Sequence, residues 1–453
     1  MNTFKITALL CHIKLTPREL EECKVALVSL HSNNANQHKF FEYCFEYKMA
    51  PWIYLQLQKH DFLQLFDDDI KELFKNTHED VKKENENRNK VAKQFLQAFH
   101  ENNIDVIILK GNSFIHTIYK NTGYKKMNDF DILIKFEDWP KIEQIYYDFG
   151  YIPLGFGWSG EKQKPAKYSH TSLPFISKDF KCLIGTQWGL KSPTTHFTLD
   201  SKEIWDTTIV LDFYGIPCKQ LSPEYNLLHL ILHLGVYKCG IRDCMDLFNL
   251  IQTTNINKEK LFAIIEKSKA KEKSFYALKM CNLCSPYIPS GWIEHLEVDS
   301  SSFIITRLKK RFEMFKETKD FHGSYNDYFQ DIEKNVIHLY LFPHFHKRFK
   351  YLLKVIRLLY FPDMKDALKF IDKSHKPKLF NRMKARLLGP WFSFSMIAQE
   401  IGWKYGILLF VKMCFDTLIS PINYFISKES YFQYLKRKGI ESSKILKLVD
   451  NVQ

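Results

Sequence analysis

Hydrophobic spacing divides the chain into stretches of different texture. Residues 16–100 read as helices. Thr16-Pro17-Arg18-Glu19 has the N-cap, first-turn proline and capping-box acid of a helix start. The highly charged stretch from Asp67 to His100 keeps Val81, Val91, Phe95 and Phe99 at mostly helical spacing. At Ile104 the texture changes. IDVIIL is a short β-branched run suited to a buried strand, Gly111 follows, and NSFIHTIYK suits a helix of about two turns starting near Asn112 or Ser113. DFDILIKF (129–136) predicts a second strand, with Phe130, Ile132, Ile134 and Phe136 on one face. Asp138 and Pro140 open a helix that ends at Gly150, and HTSLPFIS and FKCLIGTQW predict two more strands, closing near Trp188. Beyond Pro223, EYNLLHLILHLGVYK and IRDCMDLFNLI return to i, i+3, i+4 spacing, and residues 255–300 continue it.

The pattern predicts an α+β protein: a small mixed-sheet core embedded in predominantly helical N- and C-terminal regions. The boundaries it suggests are a helical region over 1–100, the α/β core over 101–215, a helical domain over 216–300 and a basic, aromatic-rich helical region over 301–453. A length of 453 residues favours two or three domains.

Charge sharpens this division. The net charge is +14, yet the first 300 residues hold 37 groups of each sign, while residues 301–453 carry 28 Lys/Arg against 14 Asp/Glu. From His344 to Arg386 there are 13 basic and three acidic residues, interleaved with Phe, Tyr and Leu. Such a band attracts polyanions, whether nucleic acid, an anionic membrane surface or phosphorylated substrates. Solvated helix faces with cationic stems over apolar surface explain it equally well. The most apolar stretch, Tyr405–Ile426, is interrupted by Lys412, Asp416 and Pro421, so a buried or interfacial helix is expected and no integral span. The 10 cysteines follow no framework, and the N-terminus lacks the apolar core and cleavage site of a signal peptide. A cytoplasmic protein, peripheral at a membrane if its basic band binds one, is the expectation.

The chemistry lies in the core. Alternation along a strand points Asp129 and Asp131 the same way, roughly 7 Å apart. A carboxylate is costly in a half-buried strand without a positive partner, and two on one face suit one or two divalent cations. The Gly111 turn offers backbone N–H groups at a helix start as a seat for phosphate, with Ser113 adding a hydroxyl donor and Lys110 a cation. A phosphate cradle beside a metal-binding carboxylate pair equips a protein for phosphoryl or nucleotidyl transfer.

LKGNSF, a basic residue at Lys125, NDFDILIKFEDW, IEQIYYDFGY and LSPEYNLLHLILHLG with RDCMDLF together resemble a family of uncharacterised bacterial nucleotidyltransferases, within the DNA polymerase beta-like superfamily. The resemblance covers about residues 35–300, and the segment with the two aspartates is its most specific part. It implies that Asp129 and Asp131 are catalytic and hold Mg²⁺, as a two-metal site, while Gly111 and Ser113 contact the phosphates of an NTP. Lys110 and Lys125 are implied to bind the nucleotide as well, and Lys125 stands where the family tends to carry Arg, so its phosphate grip lacks the bidentate fork. The reaction implied is transfer of a nucleoside monophosphate to a hydroxyl or phosphate acceptor: RNA, a phosphorylated sugar or a protein side chain. A third carboxylate is usual on a later strand, but GTQW puts Gly185 at that place and Gln187 at a histidine position, with Asp179 and Asp200 as the remaining acids to consider. A catalytically degenerate nucleotide-binding protein, or one acting through its basic region on a membrane or nucleic acid, is the alternative.

Plainer readings stand beside these. The aspartates could be a solvated strand edge, and Lys110 and Ser113 could merely cap a helix. His229 and His233, four apart in a Leu/Ile stretch, read as core histidines rather than a metal pair. Arg242 and Asp246 suit an i,i+4 ion pair as well as a pocket lining. Cys281-x-x-Cys284 lacks a second pair at zinc spacing.

Overall fold

The structure is a computed structural model that describes residues 3–31, 33–154, 170–177, 179–191, 197–234, 240–298 and 431–441, with single helical positions at 353, 403, 407 and 411. The basic band at 344–386 and the apolar stretch 405–426 thus lie outside the described residues, apart from those single positions. Two compact units divide the chain: Met1–Ile152 with Phe175–Lys191 and Phe197–His322, and Pro153–Pro174 with Ser192–His196 and Gly323–Gln453. The second is described chiefly by the helix Tyr431–Arg437, with Leu435 buried.

The first unit opens with helices α1 (Thr3–Leu10), α2 (Pro17–His31), α3 (Asn34–Glu46), α4 (Ala50–Lys59) and the long α5 (Asp68–Glu101). The α2 start is a capping box: the Thr16 N–H donates to the Glu19 carboxylate at 2.7 Å, and the Glu19 N–H to Thr16 Oγ1 at 3.3 Å. Next come β1 (Val106–Ile108), α6 (Lys110–Phe114), β2 (Phe130–Ile134), α7 (Trp139–Asp148), β3 (Ile152–Pro153), β4 (Phe175–Ile176) and β5 (Leu183–Gln187). After α8 (Ser201–Asp206) lies a hairpin that is not among the predicted elements, β6 (Ile209–Phe213) and β7 (Ile216–Gln220). Its turn, Tyr214-Gly215, has positive φ at both residues (52° and 87°), as a two-residue type I′ turn requires. The helices α9 (Pro223–His233), α10 (Ile241–Thr253), α11 (Lys258–Lys267), α12 (Lys271–Cys284) and α13 (Ser290–His295) complete the described part of the unit.

The seven strands form one mixed sheet in the order β3-β4-β5-β2-β1-β7-β6, which gives the α+β architecture. β2 runs antiparallel to β1 and parallel to β5, while β1 runs parallel to β7. Alternation sorts the side chains between two cores. Val106, Ile108, Phe130, Ile132 and Ile134 meet α5 through Phe95 and Phe99, and α7 through Tyr146. Ile107, Leu109 and Leu133 join the larger core built from the N-terminal helices and α9–α13. DFDILIKF is shorter as a strand than its pattern suggests. Asp129 precedes β2, and Phe136 leaves the sheet in a 3₁₀ turn at 50% exposure, its ring edge-on to Trp188 at 5.2 Å.

Phe95 is the pivot of the smaller core, edge-on to Phe130 at 5.6 Å and to Tyr146 at 6.0 Å, and fully buried. Phe95→Ala should cost about 3–5 kcal/mol through lost contacts and a cavity. A shift of the first urea-unfolding transition to lower denaturant will measure it, and an unshifted midpoint contradicts this packing.

Candidate active site

The β1–β2 register decides which groups meet. Val106 opposes Ile134 and Ile108 opposes Ile132, and the Leu109 N–H extends the ladder by donating to the Asp131 carbonyl at 3.1 Å. The next residue, Lys110, turns out of the strand with φ at +51°, an uncommon conformation for a side-chain-bearing residue. Its ammonium donates to Asp131 Oδ2 at 2.6 Å. The Asp131 side chain is only 8% exposed, so it has the positive partner that its burial demands. Burial works against the charge on Lys110, but Asp131 and Asp129 outweigh it and hold the ammonium's pKa above the ordinary lysine value.

Across the other edge of β2, Asp131 is in register with Gly185 and Leu133 with Gln187. Gln187 Nε2 donates to Asp131 Oδ1 at 3.4 Å. A Cβ on Gly185 would stand 2.3 Å from that oxygen, too close for any side chain while Asp131 stays in place. The position where the sequence resemblance looks for a third acid is therefore directly beside Asp131, and its space is taken by the Asp131 carboxylate. Asp179 is used in the β4–β5 turn, accepting from Ser177 Oγ at 2.7 Å and pairing with Lys181. Asp200 caps α8 and pairs with Lys267. Neither lies on β5, and among the described residues no group of three or more His, Cys, Asp or Glu side chains gathers as a metal site.

Lys110–Phe114 forms a five-residue α-helix that widens at once into a π-type turn, Ile115–Tyr119, so any helix-dipole contribution is short-ranged. Gly111 is needed for a different reason. A Cβ there would meet Tyr124 Oη at 2.8 Å, and Lys125 Cε and Met127 Sδ at 3.3 Å. Ser113 is fully buried and its hydroxyl donates to the Lys110 carbonyl at 2.9 Å, fixing the turn from within. Asn112, a residue that motif reading passes over, donates through Nδ2 to the Asp129 carbonyl at 3.2 Å. Its buried Oδ1 has no hydrogen-bond partner among the described residues. Asp129 is half-buried and lies within electrostatic reach of Lys110 and Arg88.

Lys125 is paired with a different carboxylate. Its ammonium donates to Asp246 Oδ2 on α10, while Tyr119 Oη donates to Asp246 Oδ1 at 2.9 Å. Burial lowers the Lys125 pKa against the attraction of Asp246. The i,i+4 pair suggested for Arg242 and Asp246 does not describe them, because Arg242 Nη2 donates to the Lys126 carbonyl at 2.6 Å. From the other side, α5 stitches the same segment with a fully buried Asn85. Its Nδ2 donates to the carbonyls of Thr122 and Lys125, and its Oδ1 accepts from the Met127 N–H and Arg88 Nη1. Both amide donors and both acceptor positions are used. His229 is buried and His233 exposed, so the histidine pair does not share one setting. Cys281 and Cys284 are buried free thiols.

A sequence comparison then bears on this site. Residues 33–286 match the family described as uncharacterised nucleotidyltransferase, a span that includes the whole sheet and α9–α12. The chain belongs to that family. Membership implies an NTP substrate and nucleotidyl transfer as the general activity. No curated protein and no solved structure matches the chain.

In this nucleotidyltransferase, Gly185→Ala should push the Asp131 carboxylate out of its place and cost about 1–3 kcal/mol, the usual penalty of an inserted methyl group in a packed site. Asp246→Ala should cost more, about 3–5 kcal/mol, because it leaves the Lys125 ammonium buried and unpaired. Urea unfolding of the two variants will rank them, and the reverse order would contradict these contacts.

Proposed function

We propose that the chain transfers a nucleoside monophosphate from an NTP to an acceptor oxygen, with pyrophosphate leaving. One observation carries this reading: Lys110 reaches Asp131 at 2.6 Å, next to Asp129, so a carboxylate pair and a phosphate-seeking cation meet at one end of the sheet. The donor set fits Mg²⁺. Asp129 and Asp131 offer hard oxygen donors, Asp131 Oδ1 accepts among the described residues only a long contact at 3.4 Å, and water and phosphate oxygens suit the other positions. When bound, one or two such ions supply Lewis-acid polarisation of the α-phosphate and charge neutralisation on the leaving pyrophosphate.

The chain's own residues do the rest. Lys110 offers a mobile point charge to the triphosphate. Asn112 and Ser113 hold the Gly111 turn in shape, and Lys125 positions it from behind through its contact with Gly111 and its tie to Asp246. The acceptor oxygen attacks the α-phosphorus, and the bond to the bridging oxygen breaks with its electron pair leaving on pyrophosphate. A hydroxyl acceptor needs a base for its proton, the task that the resemblance gives to a third carboxylate. With Gly185 in that place, an acceptor that is already ionised suits the site best. A phosphate group meets that condition at neutral pH, which favours a phosphorylated sugar or a phosphorylated RNA end over a free hydroxyl. Buried free thiols and an NTP substrate suit the cytoplasm. Among the described residues no helix is long and apolar enough to cross a membrane. With 13 basic and three acidic residues, the 344–386 band suits an anionic surface as partner.

Gly185 also favours a second reading, in which the site binds nucleotide without turning it over. Incubation with each α-³²P-labelled NTP, Mg²⁺ or Mn²⁺ and a fractionated lysate as acceptor pool separates the two. Wild type should transfer label, and the Asp129→Asn, Asp131→Asn double variant should lose at least about 100-fold while keeping its fold, since the metal supplies several kcal/mol. Metal-dependent NTP binding without transfer would select the second reading.

A further inference from the structure

We infer that Lys110 is the resident counter-ion of Asp131, holding the carboxylate pair in the nucleotide-free protein and giving up that place when metal and triphosphate arrive. The inference deepens the nucleotidyl-transfer reading and rests on it. Three features of the turn support an exchangeable cation rather than a fixed structural pair.

The first is electrostatic necessity. Asp131 is buried between β1 and β5, and neither Gly185 nor the neutral Gln187 amide brings it a positive charge. A carboxylate in that position is costly unless a cation meets it, in the loaded and the unloaded protein alike. Lys110 is the group that meets it, at 2.6 Å.

The second is that the side chain can leave without taking the turn apart. The Lys110 carbonyl is held by Ser113 Oγ at 2.9 Å, and the neighbouring Asp129 carbonyl by Asn112 Nδ2 at 3.2 Å. These bonds fix the backbone, while the lysine stem is one fifth exposed and free of a rigid fork geometry. The third is strain. Lys110, the first residue of α6, holds a left-handed backbone, φ +51°, while the glycine that follows it does not. Residues kept in such conformations need surrounding contacts to hold them, and the ammonium–carboxylate contact is one that can be released.

The consequence is competition for one place. A divalent ion held between Asp129 and Asp131 would stand within a few ångström of the Lys110 ammonium, which contacts Asp131 Oδ2 at 2.6 Å, and the two like charges repel. Metal binding to the free protein therefore works against the Lys110 charge and drives the ammonium off the pair, whereas with a nucleotide present the triphosphate accepts the displaced charge. Metal and NTP then load together, and the nucleotide-free protein keeps a low metal affinity.

The test measures Mn²⁺ binding to the full chain without nucleotide, by electron paramagnetic resonance of the free ion, in wild type, Lys110→Met and Lys110→Gln. The glutamine variant keeps a donor to Asp131 and guards against a folding failure of the methionine one. Both variants should bind Mn²⁺ on the order of tenfold tighter than wild type, or more, because a like charge within a few ångström is gone. Binding that is equal or weaker in the variants overturns the counter-ion role and leaves the metal site standing. No Mn²⁺ binding by any of the proteins overturns the metal site and this inference with it. Wild type supplies an independent check: saturating Mn²⁺ should raise the rate at which an amine-acylating reagent labels Lys110, mapped by mass spectrometry. An unchanged rate in metal-bound protein overturns the exchange.

Discussion

Two carboxylates at the start of a central strand impose the constraint around which the core is arranged. Asp131 sits between β1 and β5 with 8% of its side chain exposed, where an uncompensated charge costs several kcal/mol. The protein meets that cost with Lys110, and the geometry needed to bring it in accounts for much of the local structure. β1 ends at Ile108, one ladder bond beyond it ties Leu109 to Asp131, and Lys110 takes a left-handed backbone so that its stem folds back. Gly185 on the opposite flank leaves room for the carboxylate that this pairing holds.

A second buried pair couples the helical region to the same turn. Lys125 and Asp246 are 12% and 5% exposed, and Tyr119 satisfies the other oxygen of Asp246. Asn249, one turn further along α10, donates to Tyr119 Oη at 3.2 Å and to the Cys11 carbonyl at 2.9 Å. The chain of contacts runs from the end of α1 through α10 to the segment packed on Gly111. Losing one partner of a buried pair costs about 3–5 kcal/mol, against a total stability of about 5–15 kcal/mol for a typical domain. The helices around the sheet are thus part of what holds the site in shape, and a nucleotidyltransferase core cut free of α10 would lose the support of its glycine turn.

The sequence exposed what depends on local pattern and hid what depends on register. The β1 and β2 strands, the α2 capping box, the long α5 and the helices after Pro223 all carry periodicity or capping signals within a few residues. The two aspartates stood out because carboxylates are rare in apolar strands. The β6–β7 hairpin did carry a signal, alternating apolar residues on either side of Tyr214-Gly215, but tyrosine is a poor marker of a type I′ turn. The partners of the charged groups were not legible at all. Lys110 with Asp131 is set by an antiparallel register, and Lys125 with Asp246 joins residues 121 positions apart. Arg242 and Asp246 looked like an i,i+4 pair because helix spacing is visible in a sequence and a competing long-range partner is not. Asn85 and Asn112 give no motif, yet their amides hold the two segments that frame the pair.

Gly185 is where pattern and structure speak to each other most directly. In sequence it looks like a lost catalytic acid. In the sheet it is opposite Asp131, and a side chain there would collide with Asp131 Oδ1 at 2.3 Å. The present placement of Asp131 therefore requires glycine at 185. A carboxylate at 185 would bring a third negative charge to a site that has one ammonium in contact, and it would force Asp131 to turn. Removing that acid lowers the charge that must be compensated to what two carboxylates need, which a lysine can meet in part and a divalent ion in full. The same change removes a base, and an acceptor that brings its own ionised oxygen does not need one. In the proposed reaction, the electrostatics at β5 and the choice of an ionised acceptor thus both trace to the glycine at 185.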